Sequence, residues 1–346
     1  MVTERGLEVL RAIVQDYVAT HEPVGSRSIV ERHAFGVSAA TIRNDMALLE
    51  DEELIVAPHT SSGRVPTDKG YRVFVNHLAQ LRPLSSGQRS AIESFLGAPS
   101  DLDDLMARTV RVLTQLTGQV ALAQYPSFAR ASITHVELVA LAPNRMLVVL
   151  VTDAGGVSQR IAPLPIDLDE ADVAVLRAQL LSLIVGRAVG DATERMQALI
   201  EPETDSPTRL HPALSALALV IAEELAEFRQ ERLVMAGAAT LARREHDFRG
   251  SIHPLLEAIE EQVTLLRLMS EMVTDEQGLA TSIGTENAPF GLGEASIVAS
   301  NYAAPGGTAR VGVMGPTRMD YPSNLAAARA VARYLSRMLD EDEAAR

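Results

Sequence analysis

SAATIRNDMALLEDEELIVAPHTSSGRVPTDKGYRVFV, residues 38–75, carries three patterns in succession. Ser38 is a good N-cap, and Ile42, Met46 and Leu49 then recur at helical spacing in a segment running to about Glu52. On a helix those three share the inner face, which turns Ala40, Arg43, Asn44 and Ala47 outward. Leu54, Ile55 and Val56, then Arg64 and Val65, read as two short strands. The loop between them, His59-Thr60-Ser61-Ser62-Gly63, contains a glycine free to take a positive φ. Thr67 caps a further helix that passes through Gly70, Tyr71 and Arg72 to about Leu81.

Two more helices precede this stretch. Thr3 stands before Glu4-Arg5-Gly6-Leu7, and Leu7, Leu10, Val14 and Val18 share one helical face as far as Pro23. Residues 26–33 form a short second helix, and Gly36 supplies the turn into the third. Helix, helix, turn, helix, hairpin is the order of a winged helix-turn-helix. In such a module the third helix enters the major groove of DNA. Ala approaches thymine methyls there, while Arg and Asn fork to guanine and adenine. An ordinary solvated helix has the same periodicity, so it is the hairpin that favours DNA reading.

Charge distribution bears on that reading. The chain of 346 residues has a net charge of −14, which is unfavourable for phosphate contacts. Residues 1–82, however, account for only −2 of it, and the charged residues of 54–82 are Arg64, Asp68, Lys69, Arg72 and Arg82, a local +3. The excess acid lies downstream. Length predicts two or three domains, and 47% hydrophobic residues with 22% charged predict a folded chain. With no cysteine, disulfides, thiolate metal sites and cysteine nucleophiles are excluded. The N-terminus carries charges where a signal peptide needs an apolar core, and no apolar run approaches a membrane span. A cytoplasmic protein without a membrane segment is therefore expected.

Downstream, residues 82–87 read as a hinge, and a helix from Ser100 carries Leu102, Leu105, Thr109, Val112 and Leu116 on one stripe, with Asp103 completing a capping box. Apolar β-branched runs at 133–141, 146–151 and 157–162, broken at Asn144 and Gly155-Gly156, predict an antiparallel meander. Residues 166 to about 230 read as helices, with Leu214, Leu217, Ile221, Leu225 and Phe228 on a broad apolar face. Strand-like segments then return at 232–236, 279–284, 296–302 and 309–314. A long helix at about 252–273 lies among them, and a last helix spans 323–339. Sheet on both sides of a helical block predicts an α+β domain interrupted by an inserted helical subdomain.

Catalytic and metal chemistry find little support. Phe290-Gly291-Leu292-Gly293 holds a lone Gly-x-Gly without the third glycine or following helix of a dinucleotide site. Walker, His-Glu-x-x-His and nucleophile-elbow patterns are lacking. His59 has no second histidine at ligand spacing, and His246 with His253 lacks zinc-site context, so no metal or cofactor is expected. Arg318 and Asp320, within residues 312–321, read as a structural tie more readily than as a pocket lining. Gly284-Thr285-Glu286-Asn287 reads as a strand-end turn.

The run at 38–75 resembles the operator-binding region of the HrcA family, heat-inducible repressors of bacterial chaperone operons. GTEN (284–287) and GVMGPTRMDY (312–321) resemble that family's C-terminal signatures, in matching order and spacing. The resemblance implies an α+β protein: a winged-helix domain over 1–82, a GAF-like domain in two parts, 83–165 and 251–346, and a mainly helical dimerising domain inserted over 166–250. It also implies a homodimer on the inverted repeat CIRCE, and the chaperonin GroEL as the partner that keeps the repressor active. Ser38, Thr41, Arg43 and Asn44 are then the candidates for groove contact. His59, Thr60, Ser61, Gly63 and Arg64 are candidates for the wing, and Arg27, Lys69 and Arg72 for the DNA backbone. A ligand sensor built on the GAF-like domain is the main alternative. An enzyme using Thr317 to Tyr321 is a remote one, for want of a base, metal or cofactor motif.

Overall fold

Thr3 starts the first helix by accepting a hydrogen bond from the Gly6 amide at 3.1 Å, and α1 (Glu4–Thr20) buries Val9, Leu10, Ile13 and Val14. It stops where His21 turns left-handed at φ 64°. α2 (Ser26–Arg32) and α3 (Ala39–Asp51) follow, joined through Gly36 at φ 66°. Ile42, Met46 and Leu49 of α3 are buried as their spacing predicts, and α3 packs on both α1 and α2. β1 (Ile55–Val56) and β2 (Val65–Pro66) pair antiparallel, and the bridge between Val24 and Arg64 continues the ribbon beyond β2. Thr67 caps α4 (Asp68–Val73), which passes into one π-helical turn, Phe74–Leu78. The molecule is a computed structural model that describes residues 2–59, 62–78, 84–97, 99–126, 131–153, 155–200, 208–229, 232–243, 245–248, 250, 252–304 and 307–344.

The expected hinge at 82–87 is in part a helix start. Ser85 and Gln88 form a reciprocal capping box, which opens α5 (Ser86–Leu96). α6 (Leu102–Thr117) is capped by Asp101 rather than Ser100, because the Asp101 carboxylate receives the Asp104 amide at 2.8 Å. β3 (Val120–Gln124) is a strand that sequence alternation did not reveal, since all five residues are buried.

β4 (Ile133–Ala142), β5 (Arg145–Thr152) and β6 (Val157–Pro163) form the expected meander, a three-stranded antiparallel sheet of that order. Helices α7 (Glu170–Ile184), α8 (Val189–Ile200) and α9 (His211–Arg229) follow. Ile133, Val136, Leu138, Met146, Val148 and Leu150 share one apolar core with Leu176, Leu180, Leu217, Ile221 and Leu225. A boundary at 166 therefore falls inside a packed core: the helices' broad apolar faces find their partner in the sheet that precedes them.

The chain then supplies β7 (Leu233–Ala236), α10 (Ala238–Arg243), a 3₁₀ turn (Glu245–Asp247), α11 (His253–Glu261) and α12 (Val263–Glu271). The single long helix expected at 252–273 is two, separated by Gln262 at φ 56°. β8 (Leu279–Ile283), a 3₁₀ segment (Gly284–Phe290), β9 (Ala295–Ala304), β10 (Gly307–Pro316) and α13 (Tyr321–Ala344) complete the fold. β3 and β7–β10 make one five-stranded sheet of order β7-β3-β10-β9-β8; this sheet is interrupted in sequence, but its first strand is β3, and the meander expected as its first part forms a separate sheet. β10 pairs antiparallel with β3, and β8 with β9. The class is mixed α and β with open sheets, consistent with α+β.

Two compact units emerge. One comprises Met1–Ala123, Leu233–Asn301 and Arg310–Arg333, the other Gln124–Arg232, Tyr302–Ala309 and Tyr334–Arg346. The first holds α1–α4 with most of the five-stranded sheet, and the second holds the three-stranded sheet with α7–α9.

Candidate nucleic-acid interface

Ser38 both starts α3 and orders its first turn. Its Oγ accepts the Thr41 amide at 3.2 Å and lies 3.0 Å from the Thr41 hydroxyl. The helix is anchored from beneath by Ile42, Met46 and Leu49, and by Asp45, a buried carboxylate held bidentately by Arg5 at 2.7 and 3.1 Å. A buried acid paired in this way fixes the helix rotation, since any other face inward would strand the charge. Ala40, Arg43, Asn44 and Ala47 are exposed, as the wheel predicts.

Among the described residues, neither Arg43 nor Asn44 has a hydrogen-bond or ion-pair partner, and the same holds for Arg27, exposed on α2. Their neighbours are committed elsewhere: Arg5 to Asp45, Arg11 to Glu8, Arg32 to Asp16. Free donors on an exposed helix face, amid cations already neutralised, are what a groove contact requires.

The wing residues divide. Thr60 and Ser61 lie outside the described residues. His59 is exposed, and its backbone closes a turn with Ser62, whose hydroxyl donates to the His59 carbonyl at 2.7 Å. Gly63 does not use a positive φ; it is required because a Cβ there would lie 2.6 Å from the Pro23 carbonyl. Arg64 is engaged by Glu50 of α3 through two nitrogens, each at 2.8 Å, and by the Ser62 carbonyl at 3.3 Å. It therefore fixes the ribbon to α3. Lys69 donates to the Glu52 carbonyl at 2.9 Å yet keeps 56% of its side chain exposed.

Arg72 points elsewhere. Its guanidinium grips Glu286 through two nitrogens and donates to the Thr281 carbonyl at 2.8 Å. One turn earlier on α4, Asp68 accepts the Thr285 amide at 2.9 Å, beside Gly284 at φ 50°. A Cβ on Gly284 would sit 2.3 Å from the Asp68 carboxylate, so glycine is needed for this approach. The Tyr71 ring meets the Tyr321 ring at 5.6 Å. Burial pushes the Tyr321 phenol well above its ordinary pKa, and the group stays neutral, donating to the Thr317 carbonyl at 2.7 Å.

The two C-terminal segments thus do what their sequences only hinted at: they clamp α4. Arg318 is a structural tie, but its partner is Asp247, not Asp320, and it also lies 5.4 Å above the Tyr17 ring. Asp320 instead receives the Ser323 amide and hydroxyl at the start of α13. Beside the Arg72–Glu286 pair lies an open cleft of about 920 Å³, lined also by Met272, Asp275 and Phe290. Its two best-placed charges already satisfy each other. Among the described residues, no helix is long and apolar enough to cross a membrane.

Comparison with known proteins locates this architecture. Residues 103–324 match the model of the HrcA protein C terminal domain. The chain is 61% identical to the heat-inducible transcription repressor HrcA of Clavibacter michiganensis subsp. michiganensis, over 99% of this chain and 100% of that one. It is 58% identical to the protein of the same name from Leifsonia xyli subsp. xyli, with the same coverage. Among solved structures it resembles the crystal structure of a hypothetical protein at 2.2 Å resolution, with a TM-score of 0.66, 25% identity and 99% of each chain covered.

Proposed function

The chain belongs to the HrcA family of heat-inducible transcription repressors, and from that premise we propose that it silences chaperone operons by reading a CIRCE-type inverted repeat as a homodimer. The reading head is a winged helix-turn-helix: α3 enters the major groove, the β1–β2 ribbon is the wing, and Arg27 and Lys69 hold the phosphates. The observation that carries this is the outer face of α3, where Arg43 and Asn44 stand exposed and, among the described residues, unpaired, beside cations already neutralised. The five-stranded sheet with its helices is read as the GAF-like domain, and residues 124–232 as the inserted dimerising domain.

A palindromic operator calls for a two-fold partner. Support for the surface comes from the three-stranded sheet, whose inner face packs on α7–α9 while its outer face exposes apolar residues around His135, Glu137 and Gln159. Val139, Leu141, Val157 and Ile161 are there 43, 52, 63 and 43% exposed, with Leu147, Val149 and Val151 half-buried between them. Exposed apolar surface of this kind is costly on a monomer. The dimer surface is accordingly assigned to this face rather than to the helices of 166–250, which spend their apolar faces internally.

Modulation by GroEL and by heat rests on the family resemblance. Its physical form is simple: repression follows the folded population, which falls steeply near the unfolding transition of a marginally stable protein. A cytoplasmic location follows from the DNA target. The ligand-sensor alternative would have to use the open cleft, whose Arg72 and Glu286 are already paired with each other. Fluorescence anisotropy on a CIRCE-type repeat and a scrambled duplex, at physiological salt and with or without GroEL, tests the proposal. Selective binding strengthened by GroEL is expected. Equal weak binding of folded dimer to both duplexes would refute it.

A further inference from the structure

At the end of α1 the backbone takes a left-handed turn at His21, φ 64°, which costs a non-glycine residue strain and directs the imidazole at the 3₁₀ turn Glu245–Asp247. Two imidazoles and a carboxylate meet there. His246 Nε2 lies 3.2 Å from Asp247 Oδ1 and His21 Nδ1 lies 3.6 Å from the same atom, while all three ligand atoms lie within 4.8 Å of one another. Arg318 donates to that oxygen as well. Arg318 and two imidazoles crowd one oxygen with two lone pairs, and the His21 separation is too long for a hydrogen bond.

The spacing suits another chemistry. An ion bound tetrahedrally at roughly 2.0–2.2 Å holds its ligand atoms about 3.3–3.5 Å apart, which the 3.2 and 3.6 Å separations straddle. The Asp247 side chain is 6% exposed, whereas His21 and His246 are 49% and 72% exposed, so water reaches the fourth position. Arg318 keeps its bond to the other lone pair of Oδ1 and orients the carboxylate, as outer partners do at metal sites.

We propose that His21, His246 and Asp247 bind one divalent transition-metal ion, with zinc the natural occupant of a site made of two imidazoles, one carboxylate and water. The ion joins the end of α1, in the reading head, to the turn that precedes α11. It therefore rigidifies a connection that Arg318 also makes, between Asp247 and the Tyr17 ring, and the assignment stands independently of which operator is read. In sequence His246 has only His253 near it; the fold supplies His21 instead.

Zinc binding to the full, untagged chain, measured by isothermal titration and by thermal melting, tests this. One ion per chain and an upward melting shift are expected. His246→Ala or His21→Ala should weaken binding at least ~10-fold and abolish the shift, while His253→Ala keeps both. Cobalt(II) should give the intense visible bands of tetrahedral coordination. Absence of stoichiometric binding, or binding undiminished in the His21→Ala, His246→Ala double variant, would overturn the site and leave only a hydrogen-bonded corner. Both histidines are solvent-facing, so the variants are expected to fold.

Discussion

The outer face of α3 and the outer face of the β4–β6 sheet are both left uncovered by their own units, yet they differ in everything else. The first presents Arg43 and Asn44 among small residues, donors with no internal partner among the described residues. The second presents Val139, Leu141, Val157 and Ile161, with His135, Glu137 and Gln159 as the polar side chains among them. A donor face keeps its hydration while it waits for phosphates and base edges, and so costs little in the free protein. An apolar face gains only by being covered, at roughly 25 cal/mol per Å² of surface removed from water. Under the proposed function, the contrast fits one face to a transient, salt-sensitive partner and the other to a standing one.

The largest effect is expected on the apolar face. Val157→Asp with Ile161→Asp places two charges in the proposed dimer contact, and sedimentation should report monomers. Operator affinity then falls by about 10²-fold or more, because two linked half-site contacts become independent. A dimer that persisted would move the interface elsewhere. Arg43→Ala comes next: it should cost about 1–3 kcal/mol on the operator and shrink the preference over scrambled DNA. Unchanged selectivity would mean that this face of α3 does not read bases.

Glu286→Gln tests whether the clamp on α4 matters to the donor face. Both partners are about a third exposed, so the loss of stability should be about 1 kcal/mol or less, seen as a small fall in melting temperature. A fall in operator affinity without lost selectivity would accompany it, since the clamp positions the head without touching DNA. Lys69→Ala should have the smallest effect, weakening specific and scrambled duplexes alike and reducing the salt slope by about one. A change in selectivity at Lys69 would blur the division between positioning and reading residues.

Legibility followed the range of the interaction concerned. Ser38, Ile42, Met46 and Leu49 placed α3 and its outward face correctly because a cap and a 3.6-residue period act within a few turns. β3 escaped because a strand buried on both faces has no alternation. The break at Gln262 escaped because neither glycine nor proline marks it. Ser85 and Gln88 did carry a capping signal, but the surrounding Pro, Ser and Gly residues read as a hinge.

Composition, caps and periodicity by themselves determined the helix–helix–helix–hairpin order, the β4–β6 meander and the outward face of α3, all properties of near neighbours in the chain. Tertiary structure alone decided which charges remain free. Arg43 and Arg72 look equally available in sequence, yet Arg72 is spent on Glu286, 214 positions away. Arg64 is spent on Glu50, and Asp247 gathers Arg318 with two histidines. Only the folded chain shows that α7–α9 cover one face of their sheet and leave the other bare. An ion pair or a covered face depends on distances through space, and these are set by the packing of whole elements rather than by the spacing of residues along the chain.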